Sequence, residues 1–257
     1  MTDVPIAPAP GQQSLRVGEI AGESFSIMFG NFFRVLLIGL LPMIVLIAIA
    51  AALFVPLYFN GADSESAGFV AAIVAIVLIY FIISFITTAL IVRLTYDAKI
   101  GNPLRLGSYF ASALSVLGPL IICSLIVYIS IVVGFLLLIV PGLYIWGMWV
   151  CVTPVIVLEG AGLGALSRSA SLTSGYRWAC VGALIVMFFC LIGIGIVLNI
   201  AEFVVGLAVG EDAASILGIV LSGISNAFGG IFVALLYARL REIKEGTSVE
   251  QLADVFT

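Results

Sequence analysis

Few side chains in this sequence are able to do chemistry, and they fall in two groups. Residues 157–178, VLEGAGLGALSRSASLTSGYRW, bring one carboxylate, Glu159, close to two guanidinium groups, Arg168 and Arg177. Opposite charges so spaced can pair, and Glu159 with Arg168 or with Arg177 is the expected structural ion pair; separate solvation of each charge is the alternative. Arginines not taken up in pairs suit phosphate oxygens, which match the guanidinium fork. Arg105, Arg168 and Arg177 are therefore candidate headgroup contacts with a preference for anionic lipid. The second group is polar and uncharged: Ser222, Ser225 and Asn226 in one apolar run, with Ser84, Thr87 and Thr88 in another. Such groups in an apolar setting hydrogen-bond between helices, or else line a pathway for a small neutral solute.

Other chemistry has little support. The chain has no His, the commonest metal ligand and the side chain that titrates nearest neutrality. Cys123, Cys151, Cys180 and Cys190 fall singly in apolar runs and read as small packing residues, with no metal-binding spacing. There are no paired carboxylates and no base to activate a serine, so no catalytic residue is expected. A lipid-modifying activity using an interfacial Glu or Asp is the enzymatic alternative. Gly193 and Gly195 sit in the middle of an apolar run, not at a strand-to-helix turn, and are not a nucleotide loop. No cofactor and no nucleic-acid partner is expected.

The elements that hold these residues are dictated by composition. With 63% hydrophobic and 9% charged residues, the chain is far more apolar than a soluble domain. Six apolar segments stand out, at 35–59, 69–92, 119–140, 142–158, 179–200 and 214–238. Five are long enough to span a bilayer, and the fourth, of 17 residues behind the Pro141-Gly142 turn signal, is at the lower limit. If all six cross, every Lys and Arg of the chain faces one compartment, and the opposite loops hold only Asp63, Glu65, Glu202, Glu211 and Asp212. If the fourth is instead re-entrant, Arg168 and Arg177 are translocated. The positive-inside rule thus predicts six crossings with both termini cytoplasmic. Continuous runs without period-two alternation are helices, because lipid offers backbone groups no other partner. The fold class is an all-α integral membrane protein, with a disordered tail at 1–13 that is no signal peptide and a membrane domain at 14–246.

Three polar stretches share a pattern and each leads into a span: LRVGEIAGESFSIMFGNFF from Leu15, LRLGSYFASALSVLG from Leu104 and LGALSRSASLTSGYRW from Leu163. Glycines recur 11 or 12 positions apart, Gly18 to Gly30, Gly107 to Gly118 and Gly164 to Gly175. Between them apolar residues fall at helical spacing: Val17, Ala21, Phe25, Met28 and Phe32; Leu106, Phe110, Ala113 and Leu117; Leu163, Leu166 and Ala170. Each stretch is predicted to be an interfacial amphipathic helix followed by a transmembrane hairpin, giving three tandem units and a cytoplasmic collar. At 247–257, Ser248-Val-Glu-Gln251 is a capping box for a short helix carrying Leu252, Val255 and Phe256, which docks on the bundle or on a partner.

The run PGLYIWGMWVCVTPVIVLEGAGLGALSRSASLTSGYRW, through its Pro141, Gly142, Pro154, Glu159, Gly160, Arg168, Ser169 and Gly175, resembles the signature of bacterial YciC-like inner-membrane proteins. It is similar too to the membrane domain of some glycerophosphoryl diester phosphodiesterases. The resemblance implies a bacterial inner-membrane setting. The phosphodiesterase chemistry belongs to a separate soluble domain that uses His, and is not implied for this chain.

The leading expectation is a non-enzymatic inner-membrane scaffold, accessory subunit or envelope-maintenance protein in contact with membrane lipids and with another membrane protein or complex as a possible partner. The rival is a small permease or channel for a neutral solute on the Ser222 to Asn226 face. A mid-membrane cavity lined by those polar side chains favours the rival, and a sealed bundle with a lipid-filled or partner-covered groove favours the scaffold.

Overall fold

The computed structural model describes residues 14–59, 66–103 and 106–246. Arg105, the tail at 1–13 and the C-terminal helix expected at 247–257 lie outside the described residues. Every regular element among the described residues is helical. In chain order these are α1 (Val17–Gly30), α2 (Phe32–Phe59), α3 (Ala67–Ile100), α4 (Leu106–Ser115), α5 (Leu117–Leu137), α6 (Ile139–Trp149), α7 (Val152–Pro154), a π-turn (Val155–Glu159), a 3-10 turn (Gly162–Gly164), α8 (Ala165–Leu172), α9 (Arg177–Val209) and α10 (Glu211–Glu245).

Six stretches are long and apolar enough to cross a membrane: Phe32–Leu57, Ala67–Ile100, Leu117–Leu137, Ile139–Glu159, Arg177–Val209 and Glu211–Glu245. The fourth is longer than the sequence suggests. Pro141 does not make a turn; it sits in the first turn of α6, where a missing N–H costs nothing. The break falls earlier, at the single extended residue Leu138, with φ −165° and ψ 155°. Apolar pattern alone does not mark such a one-residue break, so the run 119–140 hides it. Further on, Pro154 cannot donate in a helix ladder, and the chain passes through a turn at Val150 and Cys151, the short α7 and then the π-turn. Gly160, at φ 65°, ends the segment and donates its N–H to Ile156 O at 3.1 Å.

A helix of 8 to 14 residues precedes each pair of long apolar stretches, α1 before α2 and α3, α4 before α5 and the Ile139–Glu159 stretch that α6 opens, and α8 before α9 and α10. The long helices pair as neighbours in sequence, and α3 also meets α5, α6 meets α9, and α10 meets α2 and α3. Each short helix rests on helices of another pair: α1 on α10, α4 on α3, and α8 on α6 and α7.

Packing is dense at one end only. Ile86 to Thr95 of α3, Leu120 and Cys123 of α5, Val155 to Val157, Cys180 to Leu184 of α9 and Ile231 to Ile243 of α10 supply most of the buried positions. This is the end that carries the short helices, with Arg93, Lys99, Arg168, Arg177, Arg239, Arg241 and Lys244 at or beside it. Toward the other end α5 and α9 expose Leu136, Val197, Phe203 and Leu207, as lipid-facing surfaces do. Backbone contact holds α2 to α10: a Cβ on Gly39 would lie 2.7 Å from Gly223 O.

The inward faces of the short helices keep part of the expected stripes, with Met28 and Ala113 buried and Val17, Ala21, Phe25, Phe32, Leu117 and Leu166 packed against the core, and they take in neighbouring residues as well. In α1, Ile20 and Ser24 are buried along with Met28. In α4 it is Tyr109, not Phe110, that turns inward, where its OH donates to Asp97 Oδ2 at 2.5 Å. In α8 the buried face is Ala165, Ser169 and Leu172, while Leu163 is exposed. The reason is polar anchoring: Ser169 Oγ and Thr173 Oγ1 both donate to Met148 O at 3.0 Å. Small hydroxyl residues allow that close approach, and hydropathy does not register it. The repeated glycines differ in conformation as well, since only Gly175 of the six has a positive φ.

Candidate functional site

Two polar assemblies stand apart from ordinary packing, one charged and one neutral. The charged one lies at the densely packed end. Glu159, at the close of the π-turn, accepts from Arg168 Nε at 2.9 Å on one oxygen and from Arg168 Nη2 at 3.1 Å on the other. That is a fork-to-carboxylate pair between the end of the fourth span and α8. Tyr237 OH of α10 donates to the same carboxylate at 2.7 Å. Arg168 Nη2 also reaches Glu245 at the end of α10, and Glu245 in turn accepts from Arg241 Nε at 2.8 Å. Arg241 Nη1 lies 3.5 Å from Tyr96 OH of α3. Nearby, Arg93 Nη2 donates to Val157 O at 3.0 Å, one of the carbonyls a helix end leaves without an intrahelical partner. Glu159 and then Glu245 hold the proton on Arg168 more tightly than on an ordinary guanidinium. The network therefore joins α3, the fourth span, α8 and α10.

The structure brings Glu159 together with Arg168 and places Arg177 elsewhere. Arg177 stacks over the Tyr144 ring, with its guanidinium carbon 5.0 Å from the ring centroid, and Nη1 donates to Tyr144 OH. With Glu159 and Glu245 both drawing on Arg168, a phosphate at that guanidinium competes with two carboxylates already in place. Among the described residues no group of three His, Cys, Asp or Glu side chains is placed to hold a metal ion.

The neutral assembly is a cavity of about 290 Å³ between α3, α5, α6, α7, α9 and α10. Its polar groups are Thr88, Ser124, Thr153 and Asn226, and its aromatic wall is Tyr128, Trp146 and Trp149. Helical spacing gathers them. Ser124 and Tyr128 are four apart on α5, Trp149 and Thr153 four apart across the α6 to α7 turn, and Asn226, Gly229, Gly230 and Val233 share one side of α10. No charged side chain among the described residues lines it. A smaller hollow of about 70 Å³ on the far side of Asn226 and Thr88 is lined by Gly39, Tyr80, Ser84 and Thr87.

Of the predicted neutral group, Asn226 and Thr88 face both spaces, Ser84 and Thr87 the smaller one, and Ser222 and Ser225 neither. Their hydrogen bonds close within their own helices: Thr87 Oγ1 to Ile83 O at 2.9 Å, Thr88 Oγ1 to Ser84 O at 2.8 Å, Ser222 Oγ to Ile219 O at 2.8 Å and Asn226 Nδ2 to Ser222 O at 3.2 Å. The expected bonds between helices are replaced by these because a helical hydroxyl reaches the preceding turn without any neighbour. Asn226 keeps its carbonyl oxygen and one N–H for another partner. Trp149 adds a buried indole N–H that has no partner among the described residues. Sequence reasoning did not find Ser124, Trp149 or Thr153; the signal was their four-residue spacing within apolar runs, which packing residues share.

Comparison with protein-family models, curated proteins and solved structures gives no match for this chain.

Proposed function

We propose that the protein is a non-enzymatic bacterial inner-membrane carrier or permease for a neutral molecule, which enters the cavity beside Asn226. The carrying observation is an uncharged, partly open space within the apolar helices, bordered by hydroxyls, an amide and aromatic rings. Polar groups are expensive in a bilayer and are retained where a polar ligand or water meets them. The dense packing and the ion pairs at the basic end support a bundle closed at that end, with both termini on the cytoplasmic side. The repeated order of short helix and long pair, and the seating of each short helix on a different pair, support three related units.

The scaffold reading is favoured by one other feature, the exposed apolar face of α9, and it makes lipid contact at the cytoplasmic leaflet the main activity. The two readings part in proteoliposomes preloaded with uncharged compounds, from glycerol to short-chain acylglycerols. A carrier releases at least one of them faster than protein-free vesicles do, and Asn226→Leu removes the gain. Release equal to that of empty vesicles across the whole panel contradicts the carrier.

A further inference from the structure

We infer that the α5–α6 hairpin enters the bilayer from the basic end and turns back near the middle, so that lipid chains of the opposite leaflet occupy the space beyond its tip, against the far half of α9. This goes beyond the carrier reading and does not rest on it.

Register limits how far the hairpin reaches. α9 and α10 run antiparallel along their whole length: Lys244 near the end of α10 lies over Tyr176 at the start of α9, 5.7 Å from the ring centroid, and a Cβ on Gly218 would lie 2.7 Å from Glu202 Oε1. α6 touches α9 close to that start, since a Cβ on Gly147 would lie 2.7 Å from Val181 Cγ2 and 2.8 Å from Arg177 O. From Gly147 back to the break at Leu138 is 9 residues, about 14 Å at 1.5 Å per residue, and any tilt of α6 against α9 shortens that reach. From Val181 to the end of α9 is 28 residues, about 42 Å. The tip therefore stops no farther out than the level of Cys190, and α9 runs on for about 28 Å. α5 leads to the same level by a separate route: Ile131 borders the cavity together with Leu184 and Met187, and 7 residues separate it from Leu138. Burial agrees, because Leu184 is the last buried residue of α9.

That level is the middle of the apolar layer. Between Arg177 and Glu202 α9 carries no charged side chain, and Cys190 stands midway between them. The tip has the matching chemistry. Leu136 to Val140 are five large apolar residues in a row, 58–80% exposed, and no polar side chain occurs from Ile131 to Leu143. Water at such a surface is unfavourable and hydrocarbon is not. The α9 to α10 turn, Gly210-Glu211-Asp212, has the opposite character and suits water. Few backbone groups are left open at the tip: Leu138 N–H donates to Gly134 O at 3.1 Å, Gly142 N–H to Leu138 O at 3.4 Å, and Pro141 has no N–H. Beyond the tip α9 exposes Ile192, Ile196, Ile200 and Phe203, while Asn199 turns its amide back to Gly195 O at 2.7 Å. An apolar face above an apolar tip fits acyl chains and offers nothing to a headgroup. Both ends of the hairpin return to the basic side, so the sidedness of the termini is the same whether four stretches or six traverse the whole bilayer.

The test uses the full-length protein with Cys190→Ala, a nitroxide attached at Leu138→Cys, and vesicles of phosphatidylcholine and phosphatidylglycerol. Collision of the label with oxygen, which dissolves in lipid chains, is compared with collision with a water-soluble nickel chelate. The expected result is high oxygen access, with nickel access roughly ten-fold or more below that of the same label at Asp212→Cys, because polar solutes are excluded from hydrocarbon. The label at Leu138→Cys also lies about 10 Å or more deeper than one at Phe203→Cys. Leu136→Cys, at the most exposed position of the tip, serves if Leu138→Cys fails to fold. Nickel access equal to that at Asp212→Cys places the tip in water and overturns the inference. Poor access of both reagents shows protein covering the tip and overturns the lipid occupant. Neither reading depends on solute release, so failure of the carrier and failure of the half-depth hairpin are separate results.

Discussion

Arg168 is the residue on which the charged end of the bundle turns, because one guanidinium serves Glu159 on one side and Glu245 on the other. Removing it leaves two carboxylates facing each other, with Tyr237 still on Glu159 and Arg241 on Glu245. Side chains here are partly accessible, at 34% for Arg168 and 18% for Glu159, so solvent screens part of the interaction. Arg168→Gln is expected to cost about 1–2 kcal/mol, between the values for exposed and buried pairs, seen as a lower unfolding temperature in detergent. Arg168→Lys restores less than half of it, since an ammonium cannot offer two parallel N–H groups. An unchanged melting temperature in Arg168→Gln would show that the network holds nothing together. The sequence brings Glu159 and Arg168 to notice because they are charges in an apolar neighbourhood. It gives no sign of Glu245 and Tyr237 as their partners, because these arrive from more than 70 positions away and only the fold brings them close.

Among the elements, α10 does the most packing, with one face against α9 and others against α2, α3 and α1. Its approach to α2 is set by Gly39 and Gly223, whose backbones meet with no side chain between them. A Cβ on Gly39 collides with main chain, which cannot rotate away, and one on Gly223 would be tight against it at 3.0 Å. Gly39→Val is therefore expected to destabilise by about 2–3 kcal/mol, as overpacking does. Gly193→Ala on α9, where a Cβ meets nothing within 4 Å, is expected to be near neutral. Parallel melting curves of the two variants check the contrast, and equal effects would contradict the α2 to α10 contact. The helices themselves are legible in the sequence, since composition and length leave no other backbone solution in lipid. Their ends are less so. Leu138, Pro154 and the π-turn break the ladder through local geometry that an apolar run conceals. The short helices do turn part of their apolar stripes inward, and what the sequence hides is the share of Ser169, Thr173 and Tyr109, which are buried by their hydrogen bonds and not by their hydropathy.

For the whole molecule, everything depends on which side of the membrane the basic end occupies. The uneven packing gives the bundle two different ends. One is closed by core residues and ion pairs, and the other carries Glu211 and Asp212 at the α9 to α10 turn, with Glu202 inside α9 beside Gly218. Six crossings with the closed end inside would leave the cavity reachable from the bilayer and put the arginines in the cytoplasm. Substituted cysteines read this directly once the partly accessible Cys190 is replaced by Ala, because the other native cysteines, Cys123, Cys151 and Cys180, are buried and give little background. Ser171 on α8 and Asp212 at the start of α10 are both exposed and suit the purpose. In intact cells treated with a membrane-impermeant maleimide, Asp212→Cys is expected to be labelled at once, and Ser171→Cys only after the membrane is opened. Labelling of Ser171→Cys from outside, or of both positions alike, would contradict the arrangement on which the carrier depends.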